Sequence, residues 1–399
     1  MFRNSTGSSQ IKDIHAMKVL GCVRRQGAVS RTDVSQLEGM SKSTVTRIVD
    51  ELIAEGFLIE TGQMTASSSR RKPIALQICP DKYRCIGVNA TRNSLRCVMT
   101  DFAAGLIGQT RASLRDVSDS ESLISVIADA IRTLIAETHT VPEQVLGAGI
   151  GMPGLVDNAT GTVVNFASES ILPPIPLASR LEEEFGFPIF VDNNVNAYIL
   201  SEQFFNVSED TENCVFVNCW DGIGSAAIIN GTLLRGYSNS VGEIGHMIVQ
   251  PGGRRCRCGK EGCAEMYCSP ESLLGDVSLS LDRGRTSHIE SDRLTLPQLL
   301  VQYEAGDTLC REHVNRAAQY LSICLSNVIN VLNPKTLILS GELFETGDTL
   351  FNTVREMTLE KLISQMNQSV VFIRRSRENP IYRLGAVSLV FADFYGALS

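Results

Sequence analysis

The most distinctive stretch of this chain lies at residues 242–265 and reads GEIGHMIVQPGGRRCRCGKEGCAE. Cys256, Cys258 and Cys263 fall within eight residues, and His246 precedes them. Three thiolates and one imidazole form a closed tetrahedral ligand set for a structural Zn²⁺, and the glycines between them allow the chain to turn tightly around an ion. The alternative is a group of reduced, buried thiols. Cys268 lies five residues further along and is left out of the predicted ligand set.

Two carboxylates and the histidine are tied to this zinc loop. Glu243 precedes His246, and Glu265 follows Cys263, so a bound metal would fix the backbone that carries all three. Carboxylates and an imidazole that converge on a cleft suit a ligand with several hydroxyl groups, such as a sugar. Taken alone, either glutamate would be an ordinary surface carboxylate. Their common position on the loop predicts a sugar-binding site at Glu243, His246 and Glu265.

Before this loop, the chain contains the same pattern of strands twice. Residues 84–112 and residues 213–235 each read as strand, turn, strand, turn, strand, and Asn230-Gly231 is a hairpin turn in the second copy. Amphipathic or long apolar patterns predict helices over residues 121–137 and 310–332. The duplication predicts an α/β fold of two similar lobes that face a cleft.

The N-terminal residues follow a different pattern, with three short helices ahead of two strands. Ser30 and Ser41 are candidate N-caps of the second and third helices. Apolar residues recur at helical spacing from Val45 to Ile53 in the third helix. Two strands around residues 57–76 enclose a polar loop with a basic end. This order predicts a winged helix-turn-helix.

The third helix begins with short hydroxyls and long cations, which suit base edges and phosphates. A helix that is merely solvated more often carries Glu and Lys pairs, which disfavours the alternative of a three-helix interaction module. Three basic residues in or after the wing are expected to contact phosphate or the minor groove. The predicted DNA-binding residues are Lys42, Ser43, Thr44, Thr46 and Arg47 on the helix and Arg70, Arg71 and Lys72 at the wing.

The composition excludes several classes of protein. With 43% hydrophobic and 20% charged residues, the 399-residue chain is globular and long enough for two or three domains. It lacks the run of about 18 apolar residues that a membrane span needs, and its first thirty residues lack the apolar core of a secretory leader. Twelve cysteines without a leader indicate a reducing compartment, so we expect a cytoplasmic protein without a membrane partner.

The charge is unevenly distributed along the chain. Residues 1–75 hold eleven Lys and Arg against seven Asp and Glu, a net +4. Because the whole chain carries −8, the remainder carries −12. This asymmetry indicates a small basic module attached to a large acidic one.

Together these motifs resemble the ROK family, named for repressors, open reading frames and sugar kinases. The segment Gly149–Gly154 and the zinc signature of residues 242–265 match the family pattern, and the winged helix is typical of its repressor branch. The resemblance implies an actin-like, ribonuclease-H-like fold of two lobes, with sugar contacts at Glu243, His246, Glu265 and Asn193. It predicts a DNA-binding domain at residues 1–77 and a sugar-binding domain at residues 78–399, in a homodimer or homotetramer.

The sequence departs from the family's kinases at two motifs. Kinases carry D-x-G-G-T after the first strand, where glycines let the backbone approach phosphates, but residues 89–93 read NATRN. Kinases also carry a catalytic Asp where this chain has Asn194, and an amide cannot act as the general base. Asp192, two residues earlier, is the alternative base, but we expect it to lie on the opposite side of the segment from Asn194. Asn194 remains able to hydrogen-bond a sugar hydroxyl.

These departures predict a sugar-responsive, DNA-binding transcriptional regulator of carbohydrate-utilisation genes, most consistent with a repressor, that is not an enzyme. Its expected partners are operator DNA and a sugar or sugar derivative. One alternative is an active ATP-dependent sugar kinase with an attached DNA-binding domain. Another is a constitutive DNA-binding protein that has also lost its sugar site.

Overall fold

The structure is a computed structural model, and it describes residues 8–63, 73–166, 172–206, 210–220, 222–289, 294–363 and 369–396. Within these ranges, none of the helices combines the length and the apolar character that crossing a membrane requires. The predicted wing contacts Arg70, Arg71 and Lys72 lie outside the described residues.

The N-terminal module is a winged helix-turn-helix, which confirms the prediction. Ser30 caps the second helix by accepting a hydrogen bond from the Asp33 amide, and Ser41 caps the third by accepting one from the Thr44 amide. The two wing strands pair antiparallel. The elements are α1 (Ser8–Gln26), α2 (Arg31–Leu37), α3 (Lys42–Ala54), β1 (Leu58–Gln63) and β2 (Ile74–Ile78).

The rest of the chain is built on two five-stranded sheets. The first contains β3 (Arg84–Ala90), β4 (Ser94–Asp101), β5 (Leu106–Ser113), β6 (Val145–Met152) and β9 (Ile189–Asn193). The second contains β10 (Cys214–Cys219), β11 (Ile223–Ile229), β12 (Thr232–Leu233), β13 (Thr336–Ser340) and β14 (Val371–Arg375). A separate ribbon pairs β7 (Gly154–Asp157) with β8 (Thr162–Phe166).

The two sheets share one strand order, which confirms the predicted duplication. The orders are β5-β4-β3-β6-β9 and β12-β11-β10-β13-β14. In each sheet the first three strands are antiparallel, and the last two join parallel. Parallel strands need crossover connections, and helices supply them.

The helices cover the sheets, and one of them lies between the two lobes. That helix, α6, packs against β6 and β9 of the first sheet and against β10 and β11 of the second. Nine of its side chains are therefore buried. The helices are α4 (Ser120–Glu137), α5 (Leu177–Phe185), α6 (Asn194–Phe205), α7 (Glu265–Cys268), α8 (Pro270–Asp282), α9 (Leu296–Ala305), α10 (Thr308–Leu332), α11 (Thr349–Leu359), α12 (Pro380–Arg383) and α13 (Val387–Phe394).

The last of these helices lies directly on the first sheet. A Cβ atom on Gly149 of β6 would lie 1.8 Å from the Ala386 carbonyl oxygen, and one on Gly87 of β3 would lie 2.6 Å from Val387 Cγ2. Glycine at these two positions therefore lets the start of α13 approach the backbone of the sheet.

Candidate functional sites

The four predicted metal ligands converge in the structure. The ligand atoms of His246, Cys256, Cys258 and Cys263 all lie within 4.8 Å of one another. Cys256 Sγ is 3.6 Å from His246 Nδ1, and Cys258 Sγ is 3.6 Å from Cys263 Sγ. A tetrahedral zinc ion with its usual bond lengths holds such atoms about 3.5–3.8 Å apart, so the cluster fits Zn²⁺. Cys268 is outside it, because its buried thiol donates to the Ala264 carbonyl.

The cluster of candidate metal ligands forms part of the wall of a large cavity between the lobes. The cavity has a volume of about 990 Å³, and Glu243, His246, Cys258 and Glu265 all contribute to its lining. Other lining residues come from both lobes, among them Thr91, Arg92, Asn165, Asn194, Tyr198, Asn218, Trp220, Gly222, Gly224, Arg257 and Tyr382. The volume lies within the range typical of small-molecule sites.

Three of the predicted sugar contacts are held in place by their neighbours. His246 presents Nε2 to the Glu243 carboxylate at 3.9 Å, while its Nδ1 faces the thiolates. Glu265 Oε2 accepts a hydrogen bond from the Ile223 amide at 3.3 Å. The pKa of Glu243 is raised, chiefly because partial burial disfavours its charged form and also because Glu265 adds negative charge, although His246 opposes this.

The two neighbouring asparagines have different positions. Asn194, the first residue of α6, lines the cavity and donates from Nδ2 to the Ala90 carbonyl at 3.2 Å. The side chain of Asn193 does not line the cavity. It accepts from the Val195 amide as the N-cap of α6 and donates to the Gly154 carbonyl at 2.8 Å. Asn193 therefore positions the helix that carries Asn194.

The carboxylate of Asp192, the alternative base, is buried and paired. Its side chain is 2% exposed and forms an ion pair with Arg235 at 2.7 Å. The other carboxylate oxygen accepts hydrogen bonds from the Asn193 amide and from the Asn196 side chain. The carboxylate is thus paired away from the cavity lining, as expected, but strand alternation is not the reason, because residues two apart on a strand share a face. The two side chains separate because β9 ends at Asn193 and Asn194 begins α6.

The polar face of α3 is exposed to solvent. Lys42, Ser43, Thr46 and Arg47 are exposed, and they line a shallow groove along the helix. Arg47 forms an ion pair with Glu51 at 2.7 Å, which holds its guanidinium on this face. Thr44 differs from the others, because its hydroxyl lies 2.8 Å from Ser41 Oγ in the N-cap.

Sequence reasoning missed two arginines, one at the cavity and one between the two modules. Arg257, between the ligand cysteines, lies 3.4 Å from Glu265 and lines the cavity. Arg24 of α1 extends into the second module, where it donates to the Phe204 carbonyl and lies 5.1 Å from the ring centroid of Tyr395. The position of Arg257 inside the zinc motif was a usable signal. No local pattern indicates the partners of Arg24, since Phe204 is 180 residues away.

The fold and its sites define a two-lobed domain of the sugar-kinase type, joined to a winged helix-turn-helix. Two family models match this chain, one for each of the two parts. The model described as the ROK family matches residues 91–392, and the chain belongs to that family. The model described as the IclR helix-turn-helix domain matches residues 14–61.

Named relatives align with nearly the whole chain. The xylose repressor of Caldicellulosiruptor bescii is 26% identical over 388 residues, which cover 96% of this chain and 96% of the relative. The DNA-binding transcriptional repressor Mlc of Escherichia coli K12 is 24% identical over 390 residues, covering 98% and 96% respectively.

Solved structures show the same fold. A ROK family transcriptional regulator described as a homologue of Escherichia coli Mlc has a TM-score of 0.83 at 23% identity, covering 97% of this chain and 98% of its own. A ROK family glucokinase from Streptomyces griseus, solved with glucose and AMPPNP, has a TM-score of 0.65 at 20% identity, covering 77% and 98%. The kinase therefore matches the two-lobed part, and the regulator matches both modules.

Proposed function

We propose that this protein is a sugar-responsive, DNA-binding transcriptional repressor of carbohydrate-utilisation genes. The observation that carries the proposal is the presence in one chain of an exposed polar α3 face and a cavity lined by Glu243, His246 and Glu265. The first feature suits base edges, and the second suits a polyhydroxylated ligand. Relatives named as xylose, Mlc and N-acetylglucosamine repressors support the same function.

In this proposal, residues 1–77 bind DNA and residues 78–399 bind the sugar. A homodimer or homotetramer presents two copies of α3 to successive major grooves of a palindromic operator. Lys42, Ser43, Thr46 and Arg47 contact the DNA, and Thr44 supports them through the cap of the helix. Arg70, Arg71 and Lys72 complete the contacts from the wing.

A structural Zn²⁺ would be held by His246, Cys256, Cys258 and Cys263. With four protein ligands the ion has no open coordination position, so it supplies rigidity rather than chemistry. His246 would bond the metal through Nδ1, which faces Cys256, and Nε2 would then remain directed toward Glu243 and the cavity. The loop thereby fixes three groups that bind sugar hydroxyls, those of Glu243, His246 and Glu265. Asn194, the first residue of α6, is the fourth sugar contact.

We propose that the protein does not phosphorylate its sugar. Asn194 replaces the carboxylate that would accept the proton, and its amide is hydrogen-bonded to the Ala90 carbonyl. Asp192 is held by Arg235 and cannot take over this role. Asn89, the first residue of the altered phosphate loop, is also engaged, since its side chain bonds the Arg383 carbonyl and the Ala386 amide.

In this proposal, the helix α6 transmits the conformational effect of sugar binding to the DNA-binding module. The first residue of this helix, Asn194, lines the cavity, and Phe204 near its other end accepts a hydrogen bond from Arg24 of α1. The Arg24 guanidinium also lies 4.8 Å from the ring centroid of Phe204. A sugar that prefers one arrangement of the lobes therefore changes the placement of α1, and sugar and operator become linked through one conformational equilibrium.

A three-step experiment tests the function. A thermal-shift screen of hexoses, pentoses, N-acetylated hexosamines and their phosphates identifies the effector. Calorimetry with that sugar, with and without Mg·ATP, then separates binding from phosphorylation. Footprinting upstream of neighbouring sugar genes, with and without the sugar, measures the sign of the response. Glu243→Gln should weaken sugar binding, whereas Glu261→Gln, exposed in the same loop, should not.

The outcomes distinguish the alternatives. Sugar binding without sugar phosphate, together with a footprint that the sugar changes, supports the sensor. Appreciable turnover by the unmodified protein would replace it with the kinase. A footprint without any sugar response would replace it with a constitutive DNA-binding protein, and the absence of any protected DNA would overturn the regulatory function itself.

A further inference from the structure

Several arginine side chains gather on one face of the first sheet, apart from the zinc loop. Arg96 on β4 is paired directly with Asn89 on β3 and with Arg111 on β5, so the three side chains share a face. Asn89 donates to the Arg383 carbonyl at 3.2 Å and accepts from the Ala386 amide at 2.9 Å. These bonds hold α12, which ends at Arg383, against the same face.

The second lobe adds a further arginine and a flat aromatic support. Arg377 follows β14, and its guanidinium carbon lies 4.4 Å from the ring centroid of Trp220. Trp220 lines the interlobe cavity, and so does Tyr382, which precedes Arg383. The arginine cluster, defined by Arg96, Arg111, Arg377 and Arg383, is therefore next to the cavity through Trp220 and Tyr382, and its four members are not among the residues that line the cavity.

The arginine cluster has too few internal partners for its charge. The Nε atoms of Arg96 and Arg383 are buried and have no hydrogen-bond partner among the described residues. Arg383 forms an ion pair with the exposed Glu378 at 3.0 Å. In the part of the chain that the structure describes, no carboxylate lies within ion-pair distance of Arg96, Arg111 or Arg377.

The electrostatics of Arg96 agree with this geometry. Its pKa is lowered, first because burial removes water from the guanidinium and then because Arg111, Arg377 and Arg383 repel its positive charge. Buried polar groups normally have partners, and buried charges are normally paired. A structural salt-bridge network balances positive and negative charges. This cluster has four guanidinium groups and one ion-paired carboxylate, so its positive charge is not balanced.

We propose that Arg96, Arg377 and Arg383, with Arg111 at the rim, form a binding site for the phosphate groups of a small phosphorylated molecule. The planar guanidinium presents paired N–H donors that match phosphate oxygens. An anion there satisfies the buried Nε groups and relieves the repulsion among the arginines. The site goes beyond the proposed function, because it uses neither the sugar contacts nor the α3 face.

The only tryptophan of the chain makes this site directly observable. Trp220 lies against Arg377, so its fluorescence reports on the cluster. We expect pyrophosphate, titrated into the full-length protein without sugar or DNA, to change the emission saturably with one ligand per chain. Arg96→Gln and Arg383→Gln should each lower the affinity about tenfold or more, as expected for a lost charge-assisted hydrogen bond. Arg115→Gln, exposed on the same lobe, should bind as the unmodified protein does.

Parallel titrations identify the source of the phosphate. A hexose 6-phosphate and ATP, both without Mg²⁺, are compared with pyrophosphate, and the tighter ligand defines the molecular class. Arg96→Lys, which keeps a charge, should retain more binding than Arg96→Gln, and this separates loss of the site from loss of the fold. The proposal is overturned if none of the three phosphates binds, or if the three glutamine variants bind equally. Since the pyrophosphate titration contains neither sugar nor operator, and the variants leave Glu243, His246, Glu265 and the α3 face unchanged, failure here leaves the regulatory function untouched.

Discussion

Replacement of Cys258 by serine tests the metal cluster and its link to the sugar site together. The 3.6 Å between Cys258 Sγ and Cys263 Sγ suits two thiolates on one ion, and the variant leaves three of the four ligands. Structural zinc sites of four ligands bind with about 10–16 kcal/mol, so an equal share for one ligand is about 2.5–4 kcal/mol. We therefore expect zinc affinity to fall by about two to three powers of ten.

The same variant should also weaken sugar binding. Glu265 follows Cys263 by two residues, and its contact with the Ile223 amide depends on the position of this loop. Elemental analysis after dialysis against a zinc chelator measures the metal, and calorimetry measures the sugar. Cys79→Ser is the matched control, because Cys79 is half-buried and lies outside the cluster. The reasoning is refuted by unmodified protein with well below one zinc per chain, or by a Cys258→Ser protein that binds sugar normally.

Three further substitutions test other parts of the molecule. Arg47→Ala should cost about 1–3 kcal/mol of operator binding in fluorescence anisotropy if the side chain reads a base; equal losses on operator and scrambled DNA would contradict this. Asn194→Asp should yield no sugar phosphate in a coupled ADP assay, because the NATRN stretch still replaces the phosphate loop; detectable product would disprove this. Gly149→Ala should lower the free energy of unfolding in denaturant by about 1–3 kcal/mol or more, since its Cβ meets the Ala386 carbonyl oxygen, whereas Gly275→Ala, in an open helical position, should raise it by up to about 1 kcal/mol. Equal effects of the two alanines would contradict the packing argument.

Features governed by short stretches of sequence were predictable. The caps at Ser30 and Ser41 follow from local hydrogen-bonding chemistry, and both are confirmed. The cysteine spacing brought the metal ligands together because the loop closes on itself within a few residues. The repeated strand pattern predicted two lobes because each copy of the pattern forms a sheet, and the two sheets have the same strand order.

Features that depend on distant parts of the chain were not predictable in the same way. The resemblance assigns Asn193 to the sugar site, and this stays a prediction; the structure adds that its side chain caps α6 and bonds the Gly154 carbonyl. The preference of asparagine for N-caps was a local signal that competed with this assignment. The contact of Arg24 with Phe204 and the approach of Arg377 and Arg383 to Arg96 arise only when segments more than a hundred residues apart meet, so composition and periodicity do not indicate them.

The contact between α13 and the first sheet has a consequence for the order in which the chain folds during synthesis. Gly87 packs directly against Val387. The sheet that begins at residue 84 is therefore covered by a helix that is synthesised about 300 residues later. At about 5–20 residues per second, the ribosome takes about 15–60 s to cover that distance. The winged helix has its own local contacts and can form early, whereas the apolar face of β3 and β6 must wait. We therefore expect the nascent first lobe to need protection by a chaperone until residues 387–394 emerge.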